Sequence, residues 1–170
     1  GANSAIFSVV NTVLLRALPF ENPDQLVSLW AHGAANPNDK DVASYPDFVD
    51  YQKQSRSFNA MAAFTRAGAV LGKGAEAQEL EGVAITAGVF DVLGVNPRLG
   101  RGFTENEDKP GAPLVVLLTD TLWRRAFGSD PKIVGQQVLL SNREYTVLAV
   151  MPARWRYPLD GDAIHYVVPL

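Results

Sequence analysis

The chain opens on an apolar stretch. Residues 5–18 read AIFSVVNTVLLRAL, interrupted only by Ser8, Asn11, Thr12 and Arg16, and Pro19 and Pro23 end any helix begun there. Ile6, Phe7, Val9, Val10, Val13, Leu14 and Leu15 fall on several faces of such a helix. The stretch is shorter than the ~20 apolar residues a full membrane crossing needs, so the pattern leaves two readings: a buried or amphipathic helix, or the truncated end of a span. It lacks the basic start and small-residue cleavage site of a secretory signal. Because the sequence begins on Gly1, within this pattern, it reads as a piece of a longer protein.

Further along, the pattern alternates between helical and extended periods. Leu26-Val27-Ser28-Leu29-Trp30 predicts a short strand, and the polar residues 32–42 an exposed loop. Ser44-Tyr45-Pro46-Asp47 is a capping box that starts a helix running to about Gln54, with Phe48, Val49 and Tyr51 on its buried side. Residues 61–71 and 79–85 predict two strands joined at Gly72-Lys73-Gly74, where glycine supplies the positive φ of a hairpin turn. Val89-Phe90-Asp91-Val92-Leu93 predicts a short helix ended by Gly94. Thr104-Glu105-Asn106-Glu107 repeats the capping pattern, but Pro110-Gly111 limits it to about one turn. Leu114-Val115-Val116-Leu117-Leu118 is wholly apolar and predicts a central strand buried on both faces. Thr119 or Asp120 caps the next helix, which places Arg124 and Arg125 in its last turn before Gly128. Residues 138–140 and 144–151 predict a second hairpin around Asn142-Arg143, and residues 164–168 a last strand. Helices and hairpins interspersed in this way give an α+β fold.

Composition narrows the function classes. With 170 residues, 47% of them hydrophobic, the chain can bury a real core without metals or disulfides. Fifteen Lys and Arg (15) against 18 Asp and Glu leave a net charge of −3, and no long basic run supplies the electrostatic attraction that nucleic acids require. No cysteine is present, which excludes thiolate nucleophiles, zinc fingers and redox pairs.

Each pattern that suggests chemistry has a plainer account. Gly68 to Gly74 lacks the spacing and the Ser or Thr of a phosphate loop, and Gly72-x-Gly74-x-x-Ala77 leads into a strand where a dinucleotide site needs a helix. His32 and His165 have no second His at ligand spacing, and no Ser sits in a Gly-x-Ser-x-Gly elbow. The carboxylates Glu105, Glu107 and Asp108, like Asp39 and Asp41, miss the calcium-loop spacing and read as solvated loops. Arg154-Trp155-Arg156-Tyr157 reads as a packed loop with cation–π contacts rather than a stacking platform. No catalytic, cofactor-binding or metal residue is assigned. A non-catalytic domain for binding or force transmission is expected.

The order of segments resembles the MacB-type ABC transporter permease family, over nearly the whole chain. The opening residues 1–11, with Leu14-Leu15-Arg16 and Leu18-Pro19-Phe20, resemble the outer half of that family's first transmembrane helix. Further matches are Tyr45-Pro46-Asp47-Phe48, Gln54-Ser55-Arg56-Ser57-Phe58, Gly88-Val89-Phe90-Asp91-Val92-Leu93-Gly94-Val95 and Pro97-x-Leu99-Gly100-Arg101. Val115-Val116-Leu117-Leu118, Leu122-Trp123-Arg124-Arg125-x-Phe127-Gly128, Asp130-Pro131-x-x-Val134-Gly135, Tyr145-Thr146-Val147-x-x-Val150-Met151-Pro152 and Val168-Pro169-Leu170 complete the set. The resemblance implies a two-lobed periplasmic core domain. Residues 1–20 would be the outer part of a transmembrane helix, residues 21–84 with 151–170 a porter-like lobe, and residues 85–150 an inserted sabre-like lobe. It also implies a bacterial inner-membrane location, with the domain on the periplasmic side and ATP bound by a separate nucleotide-binding domain or subunit. The partners implied are the membrane, an ABC ATPase subunit, a second or duplicated permease half and a periplasmic adaptor, with no nucleic acid. The task would be to transmit ATP-driven motion for efflux, lipoprotein release or signalling. A reading of another class is a ligand- or partner-binding module that uses the Trp155 loop and the acidic loop at residues 105–108.

Overall fold

The computed structural model describes residues 23–29, 43–155 and 164–170. The apolar stretch at residues 5–18 lies outside them, as do Trp30 and the whole loop at residues 32–42. Among the described residues no helix is long and apolar enough to cross a membrane. The chain divides into two compact units, residues 1–18 with 22–59, and residues 19–21 with 60–170.

In the first unit, Pro23–Gln25 forms a 3₁₀ turn, and residues 26–29 carry no regular structure. The strand expected there does not form in its described part. A strand is stable through its neighbours, and no ladder partner faces residues 26–29 among the described residues. Helix α1 (Tyr45–Gln54) begins at the capping box read from the sequence: Ser44 Oγ accepts from the Asp47 N–H, and Asp47 Oδ2 accepts from the Ser44 N–H, each at 3.3 Å. The buried side expected of α1 is absent. Phe48 and Val49 are half-buried and Tyr51 is exposed, because Asp50, Gln52 and Lys53 interrupt the apolar stripe before it is a full face wide.

The second unit carries one sheet. Strands β1 (Phe64–Leu71) and β2 (Gln78–Ile85) pair antiparallel from Phe64↔Ile85 to Leu71↔Gln78. Gly72 and Gly74 take φ of 79° and 65° in the turn between them, so the glycine run is a hairpin connection, as expected. Helix α2 (Val89–Leu93) stops at Gly94 in the left-handed conformation. A two-residue strand β3 (Leu99–Gly100) precedes β4 (Val115–Leu118), which is followed by α3 (Asp120–Phe127), β5 (Gln137–Leu140), β6 (Arg143–Val150) and β7 (Tyr166–Pro169). Every residue of β4 is buried, and β6 pairs with it on one edge and β7 on the other.

The strand order is β3-β6-β4-β7-β2-β1-β5, and β5 also pairs with β6, so six strands close a ring with β3 attached to β6. The closure at β1 and β5 rests on the pair Leu71↔Leu140, on Gly72 N–H to Leu139 O at 3.0 Å, and on Ser141 N–H to Val70 O at 2.8 Å. Val70 N–H donates to Ser141 Oγ at 3.2 Å. This contact also fixes the second hairpin turn. Ser141 and Asn142, not Asn142 and Arg143, have positive φ, at 48° and 62°, and Arg143 pairs with Leu140. A two-residue turn of this hand needs two left-handed residues; Asn tolerates that, Arg poorly, and Ser141 is held there by its bonds to β1.

Two neighbouring pairs, β2 with β7 and β4 with β6, are parallel, and parallel neighbours require long crossovers. Helix α3 lies in one crossover; everything from residue 86 to 165 lies in the other. Strands from the stretch expected as an inserted lobe and from the stretch around it therefore share one sheet. They share one apolar cluster too, with Leu80 and Tyr166 from the outer stretch packed with Val116, Leu118, Leu122 and Val147 from the inner. The boundaries at residues 84/85 and 150/151 mark a topological excursion, not a break in the sheet.

Candidate functional site

Polar groups gather where α3 meets the sheet. Thr119 Oγ1 accepts the Leu122 N–H at 3.3 Å as N-cap and donates to the His165 carbonyl at 2.9 Å. Asp120, one residue on and buried, accepts from Arg124 Nε at 2.6 Å and from Arg98 Nη1 at 3.1 Å. Arg98 lies over the Trp123 ring at 5.4 Å, and its main-chain N–H donates to Val150 O at 2.8 Å. The Trp123 Nε1–H donates to Asp130 O at 2.9 Å. The Asp120–Arg124 contact is a helical i,i+4 pair and legible in sequence. Arg98 is not, since only the fold carries the segment after α2 across to α3.

A second cluster occupies the loop after β3. Arg101 makes a two-pronged contact with Glu107, Nη1 to Oε2 at 2.8 Å and Nη2 to Oε1 at 2.6 Å. Glu107 Oε2 also accepts the Thr104 N–H at 2.8 Å, so half of the expected capping bond forms although the segment is a turn and not a helix. The guanidinium holds the Glu107 carboxyl down at about 2. Beside it, Asp108 Oδ2 accepts the Ala87 N–H at 3.1 Å, while burial pushes that carboxyl above its usual range. Glu107 and Asp108 are thus spent on the domain's own backbone and on Arg101, whereas Glu105 is exposed.

Because the Glu107 carboxyl lies below its unfolded value of 4.5, its contribution to stability is present above that pH and lost as pH falls toward 2. Arg101 is more than half exposed, so solvent screening keeps the pair to at most about 1 kcal/mol. Glu107→Gln should therefore lower the urea midpoint slightly at neutral pH, and its deficit against the parent should shrink as both are titrated down toward pH 2.

The other candidates divide. His32, Asp39, Asp41, Arg156 and Tyr157 lie outside the described residues. Trp155 is buried, at 7% exposure, and so is not presented as a docking ring, whereas Arg154 is exposed. Among the described residues, no group of three His, Asp or Glu is placed to hold a metal ion.

Residues 1–169 match the family described as MacB-like periplasmic core domain. The chain belongs to that family. As such it is a periplasmic core domain of the MacB-like kind. The fold is similar to that of the periplasmic region of MacB from Actinobacillus actinomycetemcomitans, with a TM-score of 0.60 and 16% identity, over 82% of this chain and 62% of that one. It is equally similar to the extracellular domain of the noncanonic ABC-type transporter YknZ from Gram-positive bacteria, with a TM-score of 0.60 and 16% identity over 82% of this chain and 70% of that one. The periplasmic core domain described here therefore spans less than two thirds of the MacB region. No curated protein sequence matches the chain. At this identity the shared property is the fold, and the Arg98–Asp120–Trp123 and Arg101–Glu107 contacts are structural contacts within it.

Proposed function

We propose that this periplasmic core domain is a non-catalytic transmission element. It would relay conformational change, driven by ATP hydrolysis on a separate cytoplasmic ATPase, to the outer side of the membrane for efflux, lipoprotein release or signalling. The observation that carries the reading is the closed ring of strand pairings, β6–β4–β7–β2–β1–β5–β6, around one apolar cluster. A ring without a free hinge between its strands moves as a body, so displacement at one end reaches the other instead of being absorbed by bending. Residues 1–20 would supply the outer end of the first transmembrane helix, placing the protein in the bacterial inner membrane, and a second or duplicated permease half and a periplasmic adaptor would be the partners.

Spin labels at Lys73, on the exposed hairpin turn, test the idea in the full-length permease assembled with its ATPase. The distance between the labels of the two permease copies should change between the nucleotide-free and ATP-trapped states. An unchanged distance, or ATP hydrolysis by this chain alone, would overturn the proposal. The membrane reading of residues 1–20 has its own check. Deleting residues 1–19 should leave the thermal midpoint of the rest essentially unchanged and improve solubility, because apolar surface meant for lipid is removed. A core helix would instead cost roughly 1.5–3 kcal/mol for each large apolar side chain lost, and a collapsed midpoint would refute the span.

A further inference from the structure

His165 stands one residue before β7, where three elements meet. Its main-chain N–H donates to Glu81 O at 2.7 Å, and its carbonyl accepts from Thr119 N and Oγ1 at 3.0 and 2.9 Å. Its ring nitrogen Nδ1 accepts the Glu81 N–H at 3.1 Å. The parallel ladder of β2 and β7 begins at Gly82↔Tyr166, so this imidazole takes the N–H just before the first main-chain pair. A side-chain nitrogen does there what a strand carbonyl does along the rest of the ladder. Such an acceptor requires a neutral ring with its proton on Nε2; a doubly protonated ring turns an N–H toward the Glu81 N–H, donor against donor.

We propose that His165 is an acid-sensitive clip on the β2–β7 ladder, closed when the imidazole is neutral and released when the ring takes up a second proton. Two charged groups act on the ring: Glu81 on β2, which favours protonation, and Arg125 on α3, which opposes it. Burial adds to the effect of Arg125, and the ring is held below its ordinary value of 6.5. The clip is accordingly closed at neutral pH. With the folded value depressed, the stabilisation it gives is present above 6.5 and is lost as pH falls from there through the folded value. An extracytoplasmic domain meets the pH outside the cytoplasm, and β7 lies in the sheet between β2 and β4, so opening its first rung loosens the seam at which the excursion of residues 86–165 returns. The device does not depend on force transmission; a domain with another task would carry it equally.

Hydrogen exchange on the full chain tests it, followed at the Glu81 amide and corrected for the intrinsic pH dependence of exchange. Between about pH 7.5 and about pH 5 the protection of that amide should fall in the parent. His165→Asn places a carbonyl oxygen near the position of Nδ1 without a titrating group, and its protection should stay flat across the same range. Constant protection in the parent, or an equal fall in His165→Asn, would overturn the proposal. Nitrogen chemical shifts of the parent's His165 ring provide a check that needs no variant: a neutral ring protonated on Nε2 at the higher pH is expected, and one protonated on Nδ1 would sink the clip.

Discussion

Trp123→Ala should lower the stability of the domain by about 3–5 kcal/mol, the usual range for deleting a large aromatic side chain from a packed core. The indole is 4% exposed and belongs to the apolar cluster that the strand ring encloses with α3. Three further roles go with it: its Nε1–H satisfies Asp130 O, its face carries the Arg98 guanidinium, and its main-chain carbonyl accepts the N–H groups of Gly128 and Ser129 that end the helix. Only the first two depend on the side chain. Trp123→Phe keeps a ring beneath Arg98 and gives up the hydrogen bond, and should lose only about 1–2 kcal/mol more than a conservative core change. Urea denaturation of both variants at neutral pH is the measurement. Equal losses would mean that the hydrogen bond to Asp130, and not the packed volume, anchors α3.

Gly82→Val should cost about 3 kcal/mol or more, and Gly82→Ala about 1–3 kcal/mol, through overpacking. Gly82 pairs in register with Tyr166 on one side and Ala67 on the other, and any Cβ built on it would overlap the Tyr166 ring. That ring is only 3% exposed, so it cannot swing aside into water, and burial holds its phenol up at about 12. The conformation of Gly82 itself is ordinary strand, which separates it from Gly100, where φ is 75° and a Cβ would meet the Leu148 carbonyl. Combining Gly82→Val with Tyr166→Leu tests the cause. If the ring fills the space that the missing Cβ leaves, the double variant should be markedly more stable than the sum of the two losses. Strict additivity would place the cost of Gly82→Val elsewhere.

The sequence carried the local elements well where their cause is local. The Ser44 box, the left-handed stops at Gly94 and Gly128, the Thr119 cap and the glycine turn after β1 each depend on residues within a few positions of one another, and each forms as read. The errors fall where a neighbour distant in sequence intervenes. The turn between β5 and β6 moved by one residue because Ser141 bonds to Val70 of β1, and the residues after Pro23 lack a strand partner among the described residues. Trp155, read as part of a packed loop, is buried, so only the alternative reading of it as a surface contact is set aside.

What the sequence determined by itself is most of the alphabet of this domain: the helices and the longer strands, that β4 is central, and, through its ordered motifs, membership in the MacB-like family. Hydrogen bonds and apolar periods with reach of a few residues suffice for that. Only the tertiary structure decided that the strands close a ring, that β7 returns between β2 and β4, and that Arg98 reaches Asp120 and His165 reaches Glu81. Those contacts join residues 22 and 84 positions apart. No periodicity records a separation of that kind, because it is set by which sheet edge each strand finds free once the crossovers have folded, and that is a property of the whole chain packing at once.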